Sequence, residues 1–415
     1  MRLATYRLTP GAPGTPLDLP PGTSWAQFGN EVLLVSDEGQ WDALADRTES
    51  SVLPLQERRA GVEREHLHVV VQNGRLFQQE NPDVPVILDR GRFLLVELDP
   101  DRARRLDRAN ETCYGVLPLG ENEVVFDVRD RGSERAAPVA WIQDLVDELA
   151  HQTLAADLSH LVSFPTRHST SDHYAGVASW ARDQLDAMGY VTRLQDISVD
   201  GSASWNVIAD KEGSAAGERG VVLVTAHLDS INIQGGPTAH APGADDNGSG
   251  SAGLLEISRV FRDHRGEHDL RFMLFGGEEE GLFGSKQYVA NLPAAEQARI
   301  LAVVNMDMIG VLNTPTRGVL LEGALLSRDV IDGLSEAAMT YTQLAVETSL
   351  HPFASDHVPF IIAGMPAVLT IEGADGTNGN VHSGADTIDH VNYDFALEIL
   401  RMNVAFVAKE VGRAP

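Results

Sequence analysis

Four short runs in the second half of the chain are apolar almost from end to end: residues 221–226 (VVLVTA), 270–275 (LRFMLF), 300–306 (ILAVVNM) and 367–371 (AVLTI). A strand with one face in water alternates apolar and polar residues, so runs of this kind must be covered on both faces. Parallel strands joined by crossover helices meet that demand. Helical periodicity occupies 139–161 and 174–188, the second stretch closed by Gly189, a favourable C-terminal stop. The expectation is an α/β fold with a mostly parallel, mixed sheet flanked by helices. Sheets of this kind bind their ligands beyond the carboxyl ends of the strands.

At 415 residues the chain exceeds one ordinary core, and it divides into two expected domains, 1–130 and 138–415. The polar, proline-terminated segment DVRDRGSERAAP reads as the linker between them. The first domain carries a weak duplication. LLV at 33–35 precedes a helical stretch and VLPL at 52–55; LLV at 94–96 precedes DPDRARRLDRA and VLPL at 116–119. Two strand–helix–strand units imply a smaller α+β domain built from ferredoxin-like halves, acting as an accessory, cap or propeptide-like cover.

The formal charge of -28 argues against a nucleic-acid partner, whose phosphates need a basic surface. No apolar run approaches the roughly 20 residues of a membrane span. The segment MRLATYRLTPGAPG lacks the apolar core of a secretory signal, which points to the cytoplasm, with secretion as the alternative. A single cysteine, Cys113, leaves no internal disulfide and no cysteine-rich zinc module. A metal site here must be built from His, Asp and Glu, a donor set that suits a catalytic ion.

Such residues stand where the apolar runs stop. The first run ends at His227, with Asp229 two residues on, and the Gly-rich segment PGADDNGSG then supplies Asp245 and Asp246. The second gives way to Gly276, Gly277 and the triplet Glu278, Glu279 and Glu280; the third ends at Asp307; and NVHSGADTIDHVN supplies His382. Each residue alone has an ordinary reading as a turn former, a helix cap or a solvated helix start. Together they do not, because that many carboxylates on one sheet edge repel one another unless cations lie between them. Two divalent ions satisfy the set.

Six segments in order, AHLDS, PGADDNGSG, GGEEEGLFGSK, NMDMIG, SDHVPF and VHSGADTID, resemble the motifs of metallopeptidase family 28, the co-catalytic two-zinc aminopeptidases. The resemblance covers roughly residues 140–410 and leaves the first domain outside it. It implies a zinc-aminopeptidase, phosphorylase/hydrolase-like fold acting on peptides with a free amino terminus. It also implies that His227 binds one zinc and His382 the other, that Asp246 bridges both, and that Glu279 and Asp307 complete one ion each. Asp229 would orient the His227 imidazole, Glu278 would be the general base, and the Asp246–Asn247 peptide would be cis. Cobalt or manganese would be accepted by the same ligands.

The tyrosine that faces the oxyanion in such enzymes has no counterpart beside His382, where Val381 stands, or in HPFASDH, where His351 reads either as a substitute donor or as a plain loop histidine. Asp356 and His357 read as loop-fixing groups. Met308, Phe353 and Phe360 are candidates for an apolar specificity pocket, and Glu372 and Asp375 for a pocket favouring a basic residue. The competing readings are a two-zinc carboxypeptidase or deacylase, a one-zinc glutaminyl cyclase, and a binding module that has lost its metals. The first normally carries an inserted domain for which the spacing leaves little room. Both histidines argue against the second, and the intact ligand set against the third.

Overall fold

The computed structural model describes residues 1–8, 19–42, 56–72, 74–109, 114–129 and 136–414. The chain forms two compact units, Met1–Ser133 with Glu347–Ala354, and Glu134–Val346 with Ser355–Pro415.

The first unit contains β1 (Arg2–Arg7), β2 (Thr23–Phe28), β3 (Glu31–Ser36), β4 (Gln56–Ala60), β5 (Leu67–Gln72), α1 (Leu76–Glu80), β6 (Val86–Arg90), β7 (Phe93–Glu97), α2 (Pro100–Ala109), β8 (Tyr114–Pro118) and β9 (Glu123–Arg129). Its strands lie in the orders β2-β3-β1-β4 and β6-β7-β5-β8, the same arrangement of hairpin, first strand and last strand. The two LLV runs occupy β3 and β7, the equivalent inner strands. The second VLPL begins within β8, whereas the first, 52–55, lies outside the described residues. Each copy differs from the expected ferredoxin-like half in opening with a strand followed by a hairpin. The extra strands were hard to see because β2 (TSWAQF) and β6 (VILDR) mix polar residues into short segments. In the second copy Val70, Phe77, Leu94, Val96, Tyr114 and Val116 form the core, and Phe353 from the segment Glu347–Ala354 packs against it.

The second unit contains α3 (Ala140–Asp147), α4 (His151–Leu161), α5 (Tyr174–Ala187), β10 (Val191–Val199), β11 (Ser202–Lys211), β12 (Val221–His227), α6 (Gly250–Phe261), β13 (Asp269–Phe275), α7 (Phe283–Asn291), β14 (Ile300–Met306), β15 (Gly318–Glu322), α8 (Arg328–Tyr341), the start of β16 (Ala345–Ser349), α9 (His357–Ile362), β17 (Ala367–Glu372) and α10 (Tyr393–Val411). Strand order is β10-β11-β13-β12-β14-β17-β15. The four inner strands, β13, β12, β14 and β17, are the four apolar runs, and they are parallel to one another. The outer pairings, β10 with β11, β11 with β13 and β15 with β17, are antiparallel. Helices α6 and α10 pack on one face. On the other, Tyr288 and Val289 of α7 and Phe360 of α9 close over Leu223, Met273, Phe275 and Val303.

The single helix expected over 139–161 is two, because Ala150 is extended (φ -124, ψ 124) and begins a new helix. The buried carboxylate of Glu256 caps it, accepting from Ala150 N at 2.6 Å and Thr153 Oγ1 at 2.5 Å. Among the described residues, no helix is long and apolar enough to cross a membrane.

Candidate metal centre

Because β12, β13 and β14 run parallel and in register, with His227 beside Phe275 and Thr225 beside Asn305, their carboxyl ends deliver side chains to one edge. His227 is the last residue of β12, Glu278 and Glu279 follow β13 after two glycines, and Asp307 follows β14. Gly277 has φ 69, the left-handed region that disfavours a side chain, and a Cβ there would come within 2.7 Å of Val199. The turn it permits swings Glu278 and Glu279 back over the sheet edge.

Asp246 stands at the centre. Its Oδ1 lies 3.2 Å from His227 Nε2 and its Oδ2 lies 3.1 Å from His382 Nε2. His227 Nε2 is also 3.2 Å from Asp307 Oδ1, and His382 Nε2 is 3.1 Å from Glu279 Oε2. His227, Asp246 and Glu279 have ligand atoms within 4.8 Å of one another, as do His227, Glu278 and Asp307. Both of those sets contain His227, but the shorter contacts divide the residues into two groups that share Asp246. The five residues singled out as metal ligands are therefore all brought together.

The donor chemistry fits zinc. Ligands at bond lengths of about 2.0–2.1 Å around a tetrahedral ion lie about 3.3–3.4 Å apart, close to the separations within each group. The charge balance fits as well. Burial would lower the His227 pKa, yet Asp307 and Glu278 raise it well above its usual value; for His382, Glu279 and Asp246 do the same against burial. Burial would raise Asp246, but hydrogen bonds from the two imidazoles hold it below the usual carboxylate range. The imidazoles draw in protons because the carboxylates need positive charge, and bound metal ions would displace those protons. Glu279 Oε1 and His227 Nδ1 are buried without a hydrogen-bond partner.

Glu278 sits beside this cluster, its carboxyl pushed well above the usual range by burial and by Asp307, Asp356 and Glu279, with His227 opposing. Asp229, fully buried, places Oδ1 3.7 Å from His227 Nδ1, longer than a hydrogen bond, while its Oδ2 accepts from Glu279 N at 3.1 Å. It thus fixes the backbone that carries Glu279 as well as facing the imidazole. The Asp246–Asn247 peptide is cis. Asn247 ties this segment to β14, donating to Met306 O at 2.8 Å and accepting from Met308 N at 3.3 Å.

Several contributors were given no role in the sequence reading, although Ser355, Asp386 and Glu280 lie within its motif segments. Ser355 donates to Asp307 Oδ2 at 2.8 Å, and Asp386 accepts from the backbone N–H groups of both Asp245 and Asp246 at 3.0 Å. His168 Nδ1 lies 2.8 Å from Glu280 Oε1. Other candidates are placed elsewhere. Phe360 is fully buried in the sheet core, and Phe353 belongs to the first unit. Glu372 is fully buried and spends its oxygens on Val311 N–H and the Asn313 amide, and Asp375 is buried too. His351 also belongs to the first unit, with Nε2 3.8 Å from Glu123. Asp356 and His357 are fully buried, His357 Nε2 lying 3.5 Å from Glu322. Met308, buried and left-handed at φ 52, directly follows the candidate ligand Asp307.

A mixed α/β sheet with a cluster of histidines and carboxylates at its carboxyl edge forms a candidate metal site. Residues 206–407 match the model of peptidase family M28. Leupeptin-inactivating enzyme 1 of Streptomyces exfoliatus is 31% identical over 336 residues, covering 75% of this chain and 71% of that protein. Leucine aminopeptidase 1 of Arthroderma otae is 30% identical over 367 residues, covering 79% of this chain and 94% of its own. The LapA aminopeptidase of Legionella pneumophila shares the fold with a TM-score of 0.60 at 18% identity, over 84% of this chain and 99% of that one. The chain belongs to peptidase family M28. It is a metallo-aminopeptidase.

Proposed function

We propose that the protein removes amino-terminal residues from peptides with two zinc ions, one held by His227 and Asp307, the other by His382 and Glu279, with Asp246 shared. The observation that carries this reading is the Asp246 carboxylate, whose oxygens face two different imidazoles at 3.2 and 3.1 Å. Bound there, the pair of ions would lower the pKa of water toward neutrality and polarise the scissile carbonyl. Glu278 takes the proton of the attacking water and hands it to the departing amine. Its position supports that role, with ligand atoms of Glu278, His227 and Asp307 all within 4.8 Å of one another. Asp229 keeps Glu279, and with it the adjacent Glu278, in place through the Glu279 N–H.

The substrate's free amine is recognised by the acidic surroundings of the cluster, which is the physical basis of exopeptidase selectivity. The curated relatives include enzymes named leucine aminopeptidase and leupeptin-inactivating enzyme, which supports an apolar terminal residue such as leucine. Met308, which directly follows Asp307, is the candidate to meet it. The first unit, outside the family match, serves as an accessory domain. A leucine-initiated peptide and its N-acetylated form, each with and without a chelator, test the proposal. Chelator-sensitive cleavage of the free peptide alone is expected, and cleavage of the blocked peptide would instead favour a carboxypeptidase or deacylase.

A further inference from the structure

Arg167 is the largest fully buried side chain among the described residues, with no exposure to solvent. A buried guanidinium must spend its donors inside the fold, and this one spends them on main-chain carbonyls. Nε donates to Leu228 O at 2.8 Å, Nη2 to Gly243 O at 2.8 Å, and Nη1 to Pro242 O and, at 3.5 Å, to Leu161 O. Leu228 stands between His227 and Asp229, while Pro242 and Gly243 lead directly into Asp246. One side chain therefore ties the backbone behind the first imidazole to the backbone behind the shared carboxylate.

The fit is close. A Cβ on Gly243, which has φ 51, would lie 2.4 Å from Asp246 O, 2.5 Å from Ser230 Cβ and 3.0 Å from Arg167 Nη2, so the loop wraps the guanidinium at glycine distance. Ser230 completes the joint, its hydroxyl accepting from Arg167 N at 3.1 Å and donating to Ala241 O at 2.8 Å. Asp386 grips the same loop from its other polar side, taking the N–H groups of Asp245 and Asp246. Segment 242–246 thus gives carbonyls to a fixed cation and N–H groups to a fixed anion. Burial pulls the guanidinium pKa below its usual value, and the carboxylates of Asp386, Asp229, Asp246 and Glu279 oppose that pull.

We propose that Arg167 is a positioning residue of the metal centre, an internal cation that sets Asp246 against His227 and holds the carboxylate cluster together before any ion binds. This rests on the two-zinc reading above. A neutral packing residue would fill the volume but take the donor away from the Leu228 and Pro242 carbonyls and leave the carboxylates uncompensated. Lysine would keep the charge while losing the fork that reaches Leu228 and Gly243 at once.

Zinc titration of chelator-treated protein tests this, with folding of each variant checked by near-ultraviolet circular dichroism. Arg167→Met is expected to weaken zinc binding roughly 10- to 100-fold, the range found when a group supporting metal ligands is lost. Arg167→Lys should recover part of that loss, and in both variants kcat should fall while KM for a leucine-initiated peptide stays within about twofold. If Arg167→Met does not fold, Ser230→Ala applies the milder perturbation, and a threefold or greater loss of zinc affinity is expected. Wild-type zinc affinity in folded Arg167→Met, or in Ser230→Ala where that is the variant measured, overturns the inference. A native protein that binds no zinc overturns the two-zinc reading instead, which separates the two failures.

Discussion

The Ser355 hydroxyl donates to Asp307 Oδ2 at 2.8 Å, which turns Oδ1 of the same carboxylate toward His227 Nε2 at 3.2 Å. Ser355 is itself held by Asn305 Nδ2 at 2.9 Å, and Asn305 by the Thr225 hydroxyl at 2.7 Å. This buried chain links β12 and β14 behind the ligands they carry. On the two-zinc proposal, Ser355→Ala should weaken the zinc site assigned to His227 and Asp307 by roughly 10-fold or more, and that assigned to His382 and Glu279 much less. Zinc titration resolving two affinities checks this, and equal weakening of both would contradict it.

Glu278 has no place in either close group of ligands, so Glu278→Gln should leave zinc content unchanged. Activity should fall roughly a hundred- to ten-thousand-fold, the usual cost of losing a general base. Metal analysis alongside turnover checks this, and loss of an ion together with retained turnover would reverse the assignment.

Asp246→Ala should behave differently from any single-ion ligand. Both imidazoles face this carboxylate, so both zinc affinities should collapse together. Retention of one ion at native affinity would show that the carboxylate is not shared.

Away from the site, burial and the neighbouring Glu256 push the Asp157 carboxyl up to about 6. A carboxyl raised in the folded state is no burden below its unfolded pKa of 3.8, and costs stability progressively as pH rises through about 6. Asp157→Asn should therefore stabilise the protein by about 1–2 kcal/mol at pH 8, after allowance for partial solvent screening, and by nothing near pH 4. Chemical denaturation at the two pH values measures the difference.

The first unit includes Glu347–Ala354, and Phe353 packs against the core of its second repeat. Deleting residues 1–133 would strip that phenylalanine of its partners. The truncated chain should lose soluble yield, and Phe353→Ser in the truncated background should restore part of it.

The inner sheet was legible because its strands are apolar on both faces, a pattern that also fixes where they end and hence where His227, Glu279 and Asp307 emerge. The hairpin of β10 and β11 was not, since its outer strand is largely exposed and reads as polar. Its signal was the Asp200-Gly201 pair, both left-handed with φ 48 and 83, which suits a tight hairpin turn. The helix break at Ala150 was invisible because the group that caps the new helix, Glu256, is distant in sequence. The same reason hid Arg167, which acts on backbone far along the chain and carries no local pattern. Ser355 and Asp386 stood inside SDHVPF and VHSGADTID, but nothing local shows which distant atoms they bind. The pocket candidates Phe353 and Phe360 went to cores, since aromatic residues fill interiors before they line sites.

The most direct test is to titrate chelator-treated enzyme with zinc while following release of leucine from a free tripeptide and from its N-acetylated counterpart. The account predicts that chelation abolishes release and that up to two equivalents of zinc restore it, for the free peptide only. Comparable cleavage of the blocked peptide, or full activity without metal, would contradict it.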